Sequence, residues 1–237
     1  MTGFGETLKI VHYEVVYMVT KLYRINAYHP DNWLINDVEN INEDNINVVK
    51  SLAKENSKGV IARVFDYTSY QKFVRAGFKL VRTTYFAQLL SENQCKDSDV
   101  FNVAQLNDNQ RQQLLQKLKQ YYESVHQINP ASPNINYRHW TFDDSSFDEQ
   151  HSIVRVDNHH ITAAILVFED GQNYEMGWTF GDNNKILLAL WQSFQSIFPE
   201  KSLISGEFDD TDRQAMAVYQ EFDWHETMPC QLTILCH

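Results

Sequence analysis

Several stretches of the chain repeat their apolar residues with the period of an α-helix. In INEDNINVVKSLAKEN, residues 41–56, Ile46, Val49, Leu52 and Ala53 share one face. In NDNQRQQLLQKLKQYYESVHQ, 107–127, the recurring set is Leu114, Leu115, Leu118, Tyr121 and Tyr122. In DRQAMAVYQEFDW, 212–224, Ala215, Val218, Tyr219 and Phe222 fall at i, i+3, i+4 and i+7, and Asp212 stands where an N-cap belongs. DYTSYQKFVRAGF, 66–78, has a similar layout, with Gly77 placed for a left-handed C-terminal turn. ILLALWQSFQSIF, 186–198, is a more uniformly apolar helix.

Between the helices lie β-branched and aromatic runs that predict strands. KIVHYEVVYMV (9–19) and KLYRINAYHP (21–30) come first, and HPDN (29–32) is expected to break the second. GVIARVF follows the first helix, which Gly59 is expected to end, and KLVRTTYFAQLL follows the second. FNVAQL opens the second half. SIVRVDNHHITAAILVFEDGQNYEMGWTF then predicts three strands joined by tight turns at Asp157-Asn158 and Asp170-Gly171. SLISGEF and MPCQLTIL complete the set.

SENQCKDSD (91–99) is polar and lacks periodicity, which marks a linker. The second half runs β-α-βββ-α-β-α-β. The first half ends in the same order, strand-helix-strand-helix-strand. Asp66 and Asp212, which open matching helices, are 146 residues apart. The chain therefore has the pattern of a diverged internal repeat, with no short period that would argue for a solenoid. The expected division is a shortened first unit over 1–92, a linker over 93–99, and a nearly complete second unit over 100–237.

Composition narrows the class. The 237 residues are 43% hydrophobic and 13% aromatic, enough for a substantial core. The net charge of −11, from 20 basic and 31 acidic residues, gives no basic footprint for nucleic acid or an anionic membrane. Cys95, Cys230 and Cys236 are odd in number and without C-x-x-C spacing, so neither a disulfide framework nor a zinc knuckle is expected. Cys230 and Cys236 are placed on the last strand, on one face. MTGFGETLKIVHYE has no signal-peptide pattern and VVYMV is too short to span a bilayer. The expectation is a soluble cytoplasmic protein; a homodimer is left open.

With its element order, DRQAMAVYQEFDW resembles the GNAT acyltransferase family. There a helix of the form N-x-x-A-x-x-x-Y-x-x-x-G-F follows the fifth strand. Asp212, Ala215 and Tyr219 match its Asn, Ala and Tyr positions, and Asp223-Trp224 replace Gly-Phe. In the first half Asp66 takes the Asn position, Phe73 the Tyr position, and Gly77-Phe78 match Gly-Phe. The resemblance implies a tandem α/β protein of two GNAT-like units, each a mixed sheet flanked by helices. It implies acetyl-CoA as co-substrate and a small amine as acceptor. The coenzyme would lie where the fourth and fifth strands of the second unit splay apart. Trp178, Thr179 and Phe180 would flank the pantetheine, and Asn183, Asn184 and Lys185 would supply donors at the helix start, with Asp212 opening the last helix.

The family's pyrophosphate loop departs in both halves. YEMGWTFGDNNKILLALW (174–191) has only Gly181 before the helix, and YHPDNWLINDVENINEDN (28–45) has no glycine or arginine after His29-Pro30-Asp31, which echoes the strand end. Charge-assisted hydrogen bonds contribute about 1.5–3 kcal/mol each, so losing two weakens binding by about a hundredfold or more. The first half, with Phe73 where a proton donor would stand, is expected to be inert.

By the resemblance Tyr219 donates a proton to the leaving thiolate and Glu175 accepts the amine's proton, with Glu207 or a water chain as substitutes. Strict alternation along YEMGWTF places Glu175, Gly177 and Thr179 on one face, and Tyr174, Met176, Trp178 and Phe180 on the other. His151 with His159-His160 lacks a metal-site spacing, and no metal is expected. EFDDTD (207–212) could cap the last helix or attract a cationic amine, and the aromatics of YRHWTFDD (137–144) could pack the core or border a substrate pocket. The alternatives to an N-acetyltransferase are a catalytically silent GNAT-like binding or regulatory module and a carrier protein on an unrelated α/β fold.

Overall fold

In a computed structural model, residues 21–91, 99–170, 173–198 and 202–237 are described. The predicted strand at 9–19 lies outside them. The chain is an α/β protein whose mixed β-sheet is flanked by helices. It divides into two compact units. Among the described residues, one comprises 21–83, 128–133 and 231–237; the other comprises the described residues of 84–127 and 134–230. Elements are numbered along the chain.

The first unit contains β1 (Tyr23–Asn26), β2 (His29–Ile35), α1 (Glu43–Glu55), β3 (Gly59–Val64), α2 (Tyr67–Arg75), the start of β4 (Lys79–Leu90) and β11 (Gln231–Cys236). β1 pairs antiparallel with β2, β2 parallel with β3, and β3 antiparallel with β11. Ile46, Val49 and Ala53 of α1 are buried, as the stripe predicts, against Val60, Ala62 and Phe73.

HPDN does not break a strand; it begins β2. The register of β1 with β2 jumps from Ile25↔Trp33 to Asn26↔His29, and the residues skipped on β2 include Pro30. A proline without an N–H is accommodated at such an irregularity. His29-Pro30-Asp31 is thus the start of a strand and not its end. Gly59 does not close α1 either. The left-handed residue there is Ser57, with φ 56°. Gly59 opens β3, where a Cβ would meet Asn32 Oδ1 at 2.1 Å. Gly77 does what its position predicts. Its φ is 90°, its N–H donates to Val74 O and that of Phe78 to Phe73 O, and the Phe73 and Phe78 rings meet edge to face at 5.1 Å.

The second unit contains the rest of β4, β5 (Val100–Asn102), α3 (Asp108–Val125), β6 (Ile153–Asp157), β7 (His160–Asp170), β8 (Asn173–Gly181), α4 (Asn184–Gln195), β9 (Leu203–Asp209), α5 (Arg213–Glu221) and the short β10 (His225–Glu226). The strands run in the order β4-β9-β8-β7-β6-β5, with β10 on β4. The β6–β7 turn is centred one residue later than expected, at Asn158-His159, both at positive φ as a two-residue hairpin requires. Residues 171–172 of the next turn lie outside the described residues. Cys230 precedes β11 and is not on the strand.

Alternation along β7 builds two cores in this unit. Ala163, Ile165 and Val167 face α4 and α5, while Ala164 and Leu166 face α3 with its buried Leu114 and Leu118. Among the described residues no helix is long and apolar enough to cross a membrane.

Candidate functional site

β8 and β9 are parallel neighbours for only three residue pairs, Tyr174↔Ile204, Glu175↔Ser205 and Met176↔Gly206. Beyond that point β8 stays paired with β7 as far as Gly181, and β9 with β4 as far as Asp209. The two strands therefore part toward their C-terminal ends. The parting coincides with a bulge. Val167 pairs with Met176 and Leu166 with Trp178, so Gly177 is the extra residue. A Cβ there would lie 2.3 Å from a carbon of the Phe168 ring, which packs directly on the glycine.

The bulge inverts the expected faces of β8. Met176 and Thr179 both face the α4 side: Met176 lies in that core, and Thr179 Oγ1 accepts the buried Trp191 Nε1–H at 2.7 Å. Trp178 and Phe180 face α3. Glu175, paired with Phe168, shares the face of Trp178 and Phe180, not that of Thr179. Glu175 is exposed.

Tyr219 lies on the other face. Its ring packs 5.1 Å from Phe208 of β9 and 5.4 Å from Tyr85 of β4, and its hydroxyl donates to Glu226 Oε1 on β10 at 2.8 Å. Burial and this carboxylate push the phenol up to about 12. The expected donor Tyr219 and the expected acceptor Glu175 thus stand on opposite faces of the sheet, and the phenol is directed over β9 and β4.

A different phenol stands at the mouth of the parting. Tyr121 of α3 stacks on Phe180, 5.1 Å between centroids, and donates to Asp212 Oδ2. Asp212 is the N-cap of α5, as predicted, its Oδ1 accepting from Gln214 N at 2.9 Å and Ala215 N at 3.1 Å. Burial raises both groups: Tyr121 well above 10, further favoured by the adjacent carboxylate, and Asp212 above 3.8 despite its hydrogen bonds. Tyr121 was visible in the sequence only as a member of a helical stripe. Its partner is 91 residues away.

The end of β8 is closed by another residue of α5 that the sequence did not single out. The carboxamide of Gln214 accepts from Gly181 N–H at 3.1 Å and donates to Gly181 O at 2.6 Å. Beside it lies a cavity of about 280 Å³ lined by Lys117, Tyr121, Phe180, Gly181, Asp182 and Gln214. Lys117 pairs there with Asp182 at 2.5 Å. At the start of α4, Asn183 acts as N-cap and its side-chain oxygen accepts from Ile186 N at 3.0 Å. That oxygen is taken up by the cap, which leaves the side-chain NH2 as the donor group of Asn183. Asn184 and Lys185 are exposed in the first turn.

The histidines do not converge. His151 pairs with buried Asp148, His159 occupies a left-handed turn position, and no cluster suited to a metal ion occurs among the described residues. Of EFDDTD, Asp209 accepts from Thr84 Oγ1 at 2.5 Å and Asp212 caps α5.

No family model and no curated protein matches the sequence. Solved structures do match. A GCN5-related N-acetyltransferase from Sphaerobacter thermophilus superposes with a TM-score of 0.64 at 10% identity, over 90% of this chain and 75% of that one. A conserved protein of unknown function from Staphylococcus epidermidis gives 0.57 at 10% identity, over 91% of this chain and 90% of that one. The fold is that of the GNAT N-acetyltransferases.

Proposed function

We propose that the second unit is an acyltransferase that takes an acetyl group from acetyl-CoA and passes it to a small amine. The observation that carries this is the parting of β8 from β9 beyond Met176 and Gly206. It leaves strand backbone available to an extended ligand. The hydrogen bonding at Gly181 supports this reading. An amide of Gln214 already pairs with its N–H and C=O, and the amides of a pantetheine arm offer the same donor and acceptor. The phosphate end has less: exposed backbone N–H groups in the first turn of α4 and the Lys185 ammonium, without a glycine loop.

Bound coenzyme would supply the activated acyl carbon. The chain's own part is to orient the amine and move two protons. Glu175, on the α3-side face, or a water beside it, takes the proton of the incoming ammonium. Tyr219 keeps its proton at neutral pH and is retained as donor to the leaving group, after exchanging its bond to Glu226. We also propose that the first unit is a shortened GNAT-like repeat that is catalytically inert, since Phe73 stands buried in place of a proton donor and the stretch 28–45 is acidic and without glycine.

A second reading has its own support. Gln214 closes the end of β8 and Asn183 satisfies an α4 N–H, so the fold could serve as a silent binding or regulatory module. Thermal unfolding with acetyl-CoA separates the two. A micromolar constant stabilises by about 4 kcal/mol at a thousandfold excess of ligand. No shift at millimolar coenzyme ends the enzyme proposal and leaves the silent module.

A further inference from the structure

On the α3 side of the second unit, four half-buried aromatic rings surround a cavity of about 270 Å³, and the carboxylate of Asp144 stands at its edge. We propose that Tyr122, Trp140, Phe168, Trp178 and Asp144 form a binding site for an alkylated ammonium group. The Trp140 and Trp178 rings lie nearly parallel, 13° apart with centroids separated by 6.0 Å. Tyr122 stands at 63° to Trp140 at 5.0 Å, and Phe168 at 74° to Trp178 at 5.4 Å. Edges and faces of the four rings thus meet at a corner, and all four line the one cavity.

The walls are held from behind. Phe168 packs on Gly177, the bulge residue, where no side chain fits. Tyr122 stacks on His126 at 3.9 Å and meets buried Tyr137 edge-on, and Tyr137 in turn meets Trp140 at 80°. Asp144 is oriented by Ser146, whose N–H and Oγ both donate to Oδ1, at 2.9 and 2.7 Å. These donors hold the carboxyl below the usual carboxylate range, so it is charged at neutral pH. A fixed carboxylate therefore stands at the cavity edge. The nearby cations are engaged elsewhere: Arg138 with Asp143, Arg111 with Glu149, and both over Phe142.

The chemistry selects the ligand. A lining of aromatic rings and one carboxylate, in a chain of net charge −11, favours a cation. A bare ammonium carries three N–H donors that must be satisfied on leaving water, and this lining offers a single carboxylate. Alkyl groups on the nitrogen remove those donors and place carbon against the rings. The volume is slightly below the range of about 300–1,000 Å³ typical of drug-sized ligands, which suits a headgroup.

Binding is read without coenzyme, so the inference stands or falls separately from acyl transfer. Choline is titrated into the full chain and followed by tryptophan emission and the indole N–H resonances. Its neutral isostere 3,3-dimethylbutan-1-ol is titrated in parallel. Choline is expected to saturate, with the alcohol weaker by about tenfold or more. Asp144→Asn, at an exposed residue that can still accept from Ser146, is expected to weaken choline by about tenfold and leave the alcohol unchanged. Trp140→Ala should abolish choline binding. Equal binding of the two probes, unchanged choline affinity in Asp144→Asn, or no saturation by choline overturns the proposal.

Discussion

Replacing Gln214 by alanine tests whether its amide occupies the path of the coenzyme. In the resting protein that amide makes two hydrogen bonds to the backbone of Gly181, at 3.1 and 2.6 Å. Each such bond contributes about 0.5–1.5 kcal/mol net, so the pair contributes about 1–3 kcal/mol. The adjacent cavity of about 280 Å³ admits water to the freed N–H and C=O, which places the expected cost near 1 kcal/mol. For a chain of this size that lowers Tm by about 2–4 °C. A pantetheine amide that takes over the same two groups must first displace Gln214. Removing the side chain abolishes that competition and should tighten acetyl-CoA by about fivefold.

The assay is calorimetric titration of acetyl-CoA into wild type and Gln214→Ala, with thermal unfolding of both in its absence. Tighter binding together with lower intrinsic stability is the expected pair of results. An unchanged or weaker affinity in Gln214→Ala would refute the displacement, because the coenzyme would then not run along Gly181. Gln214→Glu supplies a sign control. It can still accept from the Gly181 N–H but sets a carboxylate against the carbonyl, so it should destabilise at neutral pH more than alanine does.

Three further outcomes follow from local geometry. Gly77→Ala should destabilise by about 1–2 kcal/mol in urea unfolding, because φ is 90° while Lys50 Nζ, the nearest atom to a new Cβ, is at an ordinary 3.6 Å; a neutral result would show that the α2 terminus relaxes at no cost. His29, whose Nδ1–H donates to Asn129 O at 2.7 Å, is held by burial below its ordinary 6.5. Its contribution is therefore complete above pH 6.5 and is lost as pH falls through 6.5 toward the folded value, and His29→Gln should flatten the urea midpoint across that window. The Tyr219 phenol is raised from 10.0 to about 12, so its contribution is complete below pH 10 and is lost as pH rises toward 12. The phenolate absorbance difference between wild type and Tyr219→Phe should have its midpoint near the upper value, and a midpoint near 10 would refute the burial and the Glu226 bond that raise it.

What the sequence disclosed was local. The stripes that bury Ile46 and Val49, or Leu114 and Leu118, are set by 3.6-residue spacing and need no knowledge of the partner. Asp66 and Asp212 cap their helices because a short carboxylate reaches the N3 amide wherever the chain turns. The misplacements arose where one residue shifts the period. Pro30 reads as the end of a strand, yet it sits where the β1–β2 register slips. Strict alternation treats Gly177 as an ordinary strand position, and the bulge there inverts every face beyond it. A glycine between aromatics in an alternating run was the available sign of the bulge. The remainder of the site was illegible for another reason. Gln214 meeting Gly181, and Tyr121 meeting Asp212, join residues 33 and 91 positions apart, and no local pattern encodes them. The direction of Tyr219 depends on how α5 is rotated over the strands, which a stripe of apolar residues specifies only to within a face.

The same capping residue in the two matching helices has its carboxyl shifted in opposite directions. Asp66 accepts from Ser69 N at 2.8 Å in the open, and that bond holds its carboxyl below 3.8. Its contribution is present above pH 3.8 and is lost as pH falls through the folded value. Asp212 makes comparable bonds to Gln214 and Ala215 and accepts the Tyr121 hydroxyl as well, yet burial outweighs all of them and its carboxyl is raised above 3.8. Its contribution is complete below pH 3.8 and is lost as pH rises through the folded value, so at neutral pH the charge at 212 opposes folding. Asparagine caps a helix as well as aspartate and carries no charge to desolvate. Asp212→Asn should therefore raise Tm at neutral pH, and the advantage should shrink as pH is lowered toward 4. Asp66→Asn, at the corresponding exposed cap, should give no such gain. A protein less stable than wild type at neutral pH after Asp212→Asn would mean that the Tyr121 bond outweighs desolvation. A gain would place a destabilising charge at the mouth of the parted strands, where a functional requirement can maintain it.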